Sequence, residues 1–155
     1  MGNDDLPIVG TDKDEVGRSP IDYFSWGHVD MGIATFLLLS LINTIPSLIE
    51  KTLIYIIPYF LMLILVLVVA IVWEILENTL LLEWGFKFEG RKDSFVNALW
   101  DIIFVIIGGL YMWIVKGILV NVIMGVKGIP IFYIIGIISF IVILIAFFIG
   151  KAITK

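Results

Sequence analysis

No cysteine occurs in the 155 residues, which excludes disulfides, thiol catalysis and cysteine-ligated metals. Histidine is nearly as scarce, with the single copy at position 28, so any site that needs two imidazoles is out of reach. Charge is thin as well: Asp, Glu, Lys and Arg make up 15% of the chain. The 10 Lys and Arg residues form no basic patch, so nucleic acid is not an expected partner.

What fills the chain instead is apolar. Hydrophobic residues account for 61%, against roughly 45–50% in soluble domains, and the mean hydropathy is +1.11. Runs of about 20 apolar residues cross a bilayer as helices, and four can be drawn: Val29–Ile49, Leu53–Leu82, Phe95–Val120 and Ile129–Ile149. The expected fold is therefore an all-α integral membrane protein, a bundle of four transmembrane helices, with residues 24–155 as one domain and the lipid bilayer as its first partner. Residues 1–23 read as a mobile acidic tail, carrying Asp4, Asp5, Asp12, Asp14, Glu15 and Asp22 against Lys13 and Arg18, with too little apolar surface to offset the entropy of ordering. The tail is no signal peptide, which would start basic and pass directly into an apolar core. Four spans put both termini and the Glu83–Lys92 loop on one side. That side holds Lys13, Arg18, Lys87, Arg91, Lys92, Lys151 and Lys155, the other Lys51, Lys116 and Lys127, so the expected location is the cell membrane with cytoplasmic termini.

Against this background the polar residues inside the spans stand out, because each ionisable group there costs roughly 2.5–3.5 kcal/mol on insertion scales. At 100° per residue, His28, Gly32, Thr35 and Asn43 fall within about an 80° arc of the first span, and Asp30 points elsewhere. Glu74, Glu77 and Asn78 share one face near the end of the second span. Asp93, Asn97 and Asp101 share a face at the start of the third, where Asp93 or Ser94 also suits the N-cap position. Gly108 and Gly109 would let another helix approach closely. His28 begins one span, Glu74 to Asn78 end the next, and Asp93 to Asp101 begin the third. All of them therefore gather at the same end of the bundle.

The order and spacing of these residues resemble a family of small bacterial membrane proteins known as a domain of unknown function. That family carries an early histidine, a WE-x-x-EN motif, a polar loop and a DS-x-x-N-x-x-x-D motif. The matching residues here are His28 with Gly32, then Trp73, Glu74, Glu77 and Asn78, then Asp93, Ser94, Asn97 and Asp101, within a likeness running from Trp26 to Gly109. A more distant similarity is to VanZ-like membrane proteins. The resemblance implies a shared fold and site without supplying a reaction.

Some chemistries lack their signatures: there is no D-x-x-D-G-x-x-A-R run of a CDP-alcohol phosphotransferase and no G-x-S-x-G serine of a rhomboid-like protease. What remains is an oxygen-rich cluster with one imidazole, suited to Mg²⁺ or Mn²⁺ and open to Zn²⁺. The leading expectation is a membrane-embedded, metal-dependent hydrolase or transferase acting on a lipid head group or other amphiphile. In it His28, Glu74 and Asp101 are catalytic; Glu74, Asp93 and Asp101 hold the divalent cation; and Asn78, Asn97, Glu77 and Ser94 bind substrate. Two alternatives stand beside it. One is a proton- or cation-coupled transporter using the same carboxylates as a relay. The other is a satisfied polar knot that fixes the bundle's register.

Overall fold

In the computed structural model, which describes residues 6–87 and 90–154, every regular element is helical among the described residues, apart from one isolated bridge between Val9 and Ile21. Helix α1 spans Phe24–Glu50 and α2 spans Leu61–Leu76, with a π-helical turn, Glu77–Leu81, continuing α2. Helix α3 spans Phe95–Lys116 and runs on through π-helical and 3₁₀ turns, Gly117–Met124 and Gly125–Gly128, to α4 at Ile129–Ile153. Asp4, Asp5, Glu89 and Lys155 lie outside the described residues.

Three apolar stretches, Phe24–Glu50, Leu61–Leu81 and Phe95–Ile153, are long and apolar enough to cross a membrane. Their outward faces carry exposed Ile64, Val68, Val72, Ile107, Ile134 and Ile141, a surface suited to lipid. Between lipid-exposed helices the hydrophobic effect gives little net drive, so close approach and hydrogen bonds must hold the helices together. Small residues supply the approach between α1 and α3. A Cβ on Gly32 would run into the Val105 carbonyl of α3, and one on Gly108 would run into the Val29 carbonyl of α1. On α3, a Cβ at Gly109 would meet Val66 of α2 at 2.8 Å. Helix α4 lies antiparallel along α1, its Gly136 against Leu37 and its Gly150 against Tyr23. The core this leaves is a narrow column that includes Ile33, Phe36, Met62, Val66, Val105, Met112 and Phe132.

One expectation from sequence gives way here. The span drawn from Leu53 begins as a helix only at Leu61, because side chains of α1 hold the preceding loop in another conformation. Asn43 pairs with both backbone groups of Ile57, at 2.7 and 2.9 Å, and Ser47 Oγ accepts from the Ile54 N–H at 2.9 Å. Pro58 therefore sits ahead of α2 rather than kinking it, and its carbonyl accepts from the Leu61 N–H at 2.9 Å. The acidic N-terminal segment is described from residue 6. Residues 6–23 lie folded across one end of the bundle, with Val16, Ser19, Asp22 and Tyr23 buried. Composition undercounts this segment, because its backbone, rather than apolar area, makes the attachments.

Candidate functional site

The first turn of α1 is pinned by a reciprocal pair. Asp22 Oδ1 accepts from the Phe24 N–H at 2.8 Å, and Ser25 Oγ accepts from the Asp22 N–H at 3.2 Å. One turn later His28 projects inward, and its Nδ1 donates to the Phe24 carbonyl at 3.0 Å with Asp101 Oδ1 at 3.2 Å from the same nitrogen. That anchor leaves Nε2 facing α2, where Glu74 Oε1 lies at 3.3 Å and Glu77 Oε2 at 4.0 Å. Nε2, Glu74 and Glu77 offer three ligand atoms within 4.8 Å of one another.

The proton count at this imidazole decides what it can do. With Nδ1–H committed to Phe24 and Asp101, a neutral ring points a lone pair at two carboxylates, and that contact repels unless a positive species sits between them. Either a second proton or a metal ion fills that role. The donor set fits a metal: an imidazole whose other nitrogen donates to a carbonyl and lies beside a carboxylate is the usual environment of a ligating histidine, and Glu74 Oε1, on the Nε2 side, is buried with no hydrogen-bond partner among the described residues. Five carboxyl groups, of Asp22, Glu74, Glu77, Asp93 and Asp101, converge here with two basic side chains, Lys87 and Arg91.

Around this centre the π-helical turn and the loop after it form a clasp. Asn78 Nδ2 donates to the Glu74 carbonyl at 3.1 Å, and its Oδ1 accepts from Lys87 Nζ at 3.0 Å and from the Asp93 N–H at 2.8 Å. Lys87 also pairs directly with Asp93 and lies 3.5 Å from Glu77. Ser94 caps α3, accepting from the Asn97 N–H at 3.1 Å and donating to the Arg18 carbonyl at 2.8 Å. Asn97 donates to the Ser19 carbonyl at 2.8 Å, Ser94 N–H to the Gly17 carbonyl at 2.7 Å, and Arg91 to the carbonyls of Lys13 and Val16. At Gly17, with φ of +71°, any side chain would collide with Asp93. Burial raises the Asp22 carboxyl above its ordinary value, although the Gly17 and Phe24 N–H groups pull the other way.

Asp93, expected as a cation ligand, pairs with Lys87, and Asp101 sits on the far side of His28 from the glutamates. Glu77, expected to bind substrate, lies with His28 and Glu74 in the group of potential ligand atoms. Asn97 and Ser94 direct their side chains to the N-terminal segment, whereas Asn78 ties Glu74 to Lys87 and Asp93. Lys87, Asp22 and Arg91 were missing from the expected set. Asp22 left a trace in sequence, an Asp three residues before a Ser at the head of an apolar run; Lys87 left none, being one basic residue among several in its loop.

Beneath the N-terminal segment is a cavity of about 20 Å³ lined by His28, Glu77, Lys87, Asp93, Asn97 and Asp101, room for about one water or a single ion. A wider opening lies to the side: a groove of about 470 Å³ with a floor of Phe24, Gly27, His28, Asp30 and Met31 from α1. Trp73 of α2 and Glu77 of the π-helical turn form one wall, and Phe140, Leu144 and Phe147 of α4 the other. Compared with models of protein families, with curated proteins and with solved structures, the chain matches none of them.

Proposed function

We propose that the protein is a multi-pass membrane hydrolase or transferase that uses a divalent cation at His28, Glu74 and Glu77 to act on the head group of a lipid or other amphiphile. The observation that carries this reading is the meeting of an anchored imidazole and two glutamates with a lateral groove, since His28 and Glu77 belong to both. An acyl chain suits the apolar walls, and lateral access suits a substrate that never leaves the membrane. A bound cation would polarise the scissile carbonyl or phosphoryl group and acidify a water. Glu74 and Glu77 would hold that cation beside His28, Asp101 and Phe24 hold the ring of His28, and the N-terminal segment covers the cluster. The likeness in motif order to the domain-of-unknown-function family belongs with this proposal.

Four spans fit the same reading. A straight helix over Phe95–Ile153, 59 residues, would be about 90 Å long, three times the roughly 30 Å bilayer core. The chain breaks at Gly125, with φ of +58°, and α4 returns to α1. Both termini then share the side of the site, and the positive charge there favours the cytoplasm.

A second reading, a closed polar knot, is favoured by the small size of the cavity under the N-terminal segment. Turnover separates the two. Purified protein is incubated with a membrane lipid extract, with and without Mn²⁺ or Zn²⁺, and products are followed by mass spectrometry. A product that needs the cation and disappears in Glu74→Gln supports the enzyme; no cation-dependent product from wild type supports the knot.

A further inference from the structure

Three members of the cluster have a tryptophan close by in sequence. Trp26 stands two residues before His28, Trp73 next to Glu74 and Trp100 next to Asp101. Each residue of a helix is turned about 100° from the last, so residues one or two away from an inward-facing one look outward. The three indoles are 45, 39 and 36% exposed, one each from α1, α2 and α3 at the depth of the cluster. Helix α4 completes the ring with exposed Phe148, whose neighbour Phe147 faces Gly27, one residue from His28. An indole joins a large apolar body to a single N–H donor, and such rings collect where hydrocarbon meets head groups.

Lengths decide whether this ring marks the boundary. From His28 to Glu50, α1 rises about 33 Å, against a hydrocarbon core of roughly 30 Å, and Glu50 and Lys51 are exposed at the far end. From Phe148 to Ile129, α4 covers about 28 Å, with exposed Lys151 beyond one end and exposed Lys127 beyond the other. Both lengths match the core. Exposed Trp84, Phe86 and Phe95 offer a rival boundary, about 8 Å further out by the rise from Trp100 back to Phe95. That level would stretch the apolar thickness along α1 to about 40 Å, and exposed Glu83 and Lys92 belong to the same loop. These outer rings therefore suit the head-group layer.

We infer that Trp26, Trp73 and Trp100 seat the protein in a phospholipid bilayer so that the boundary between hydrocarbon and head groups passes through the plane of His28, Glu74 and Asp101. This depth is independent of cation binding and of turnover. Combined with the hydrolase or transferase reading, on which this step alone rests, it names the bond: an ester or phosphoester at the junction of head group and chain. The chain then lies inward along the groove, past Met31 and Phe140.

The test uses full-length protein in phosphatidylcholine vesicles, with single cysteines at Val96, Leu99, Ile107 and Leu110, all exposed along α3, each carrying a nitroxide spin label. Relaxation by oxygen, which concentrates in hydrocarbon, is compared with relaxation by a water-soluble nickel chelate. Nickel is expected to prevail at position 96, the two to balance near 99, and oxygen to prevail at 107 and 110. Replacing Trp26, Trp73 and Trp100 together by Leu should move the balance outward past position 96, by about one turn or 5 Å, and single Leu variants should move it part of the way. Tyr at all three positions should keep it near 99. Oxygen prevailing at position 96 in wild type, nickel prevailing at 107, or a balance that stays near 99 in the Leu variants would overturn the inference. The profile is read without turnover, so absence of a cation-dependent product beside the expected profile strikes the enzyme reading alone.

Discussion

His28 is surrounded by more acceptors than it has protons to give, and this imbalance governs the site. Removing the imbalance from the wrong side should be costly. In His28→Asn, Glu74 and Asp101 lose their common partner while staying buried, and breaking a buried charged contact costs about 3–5 kcal/mol. Denaturant or thermal unfolding in micelles should register that loss, and saturating Zn²⁺ should stabilise wild type but not the variant. A loss near zero would mean the cluster is open to water. Asp22 gives a pH signature outside the spans. Its carboxyl is raised by burial, so the folded N-terminal segment binds more protons than the unfolded one as pH rises from the ordinary carboxyl value to the raised one. Its contribution is therefore fully present at acid pH and declines through that window. Hydrogen exchange at Gly17 to Ser19 should show protection falling with pH in wild type and a flatter profile in Asp22→Asn; matching profiles would contradict the assignment.

Among the elements, α1 does most of the organising, and much of that was legible. The His28, Glu74 and Asp101 faces could be placed at one end of the bundle because helical periodicity and span order are both local signals. Gly108 and Gly109 were legible as contact points for the same reason. The loop before α2 was not, since its conformation depends on Asn43 and Ser47 reaching it from α1, a tertiary contact that overrides an apolar run. The N-terminal segment escaped notice because carbonyls of Lys13, Val16, Gly17, Arg18 and Ser19 make its attachments, and a backbone acceptor has no sequence signature. Both structural findings can be checked. Gly32→Ala or Gly108→Ala pushes a methyl into a facing backbone carbonyl, and overpacking of this kind costs about 1–3 kcal/mol; unchanged unfolding midpoints would rule out the close crossing. Asn43→Ala strands both backbone groups of Ile57, about 1–3 kcal/mol by the cost of unsatisfied buried groups, with the loss expected as faster exchange confined to residues 53–60.

For the whole molecule the natural lack of cysteine is an advantage, because single cysteines introduced at Thr11, Lys51, Lys92 and Lys151 report topology without background. With four spans, positions 11, 92 and 151 react with a membrane-impermeant thiol reagent from one face and position 51 from the other. Reaction of 151 and 11 from opposite faces would remove α4 as a crossing helix and with it one wall of the groove. The most direct measurement is calorimetric titration of purified protein with Mn²⁺ and with Zn²⁺, comparing wild type with Glu74→Gln, Glu77→Gln and the exposed-loop control Glu83→Gln. The account predicts one cation per chain in wild type and in Glu83→Gln, with affinity lost in the other two. Wild type that binds neither ion, or Glu74→Gln and Glu77→Gln variants that bind as well as wild type, would contradict it.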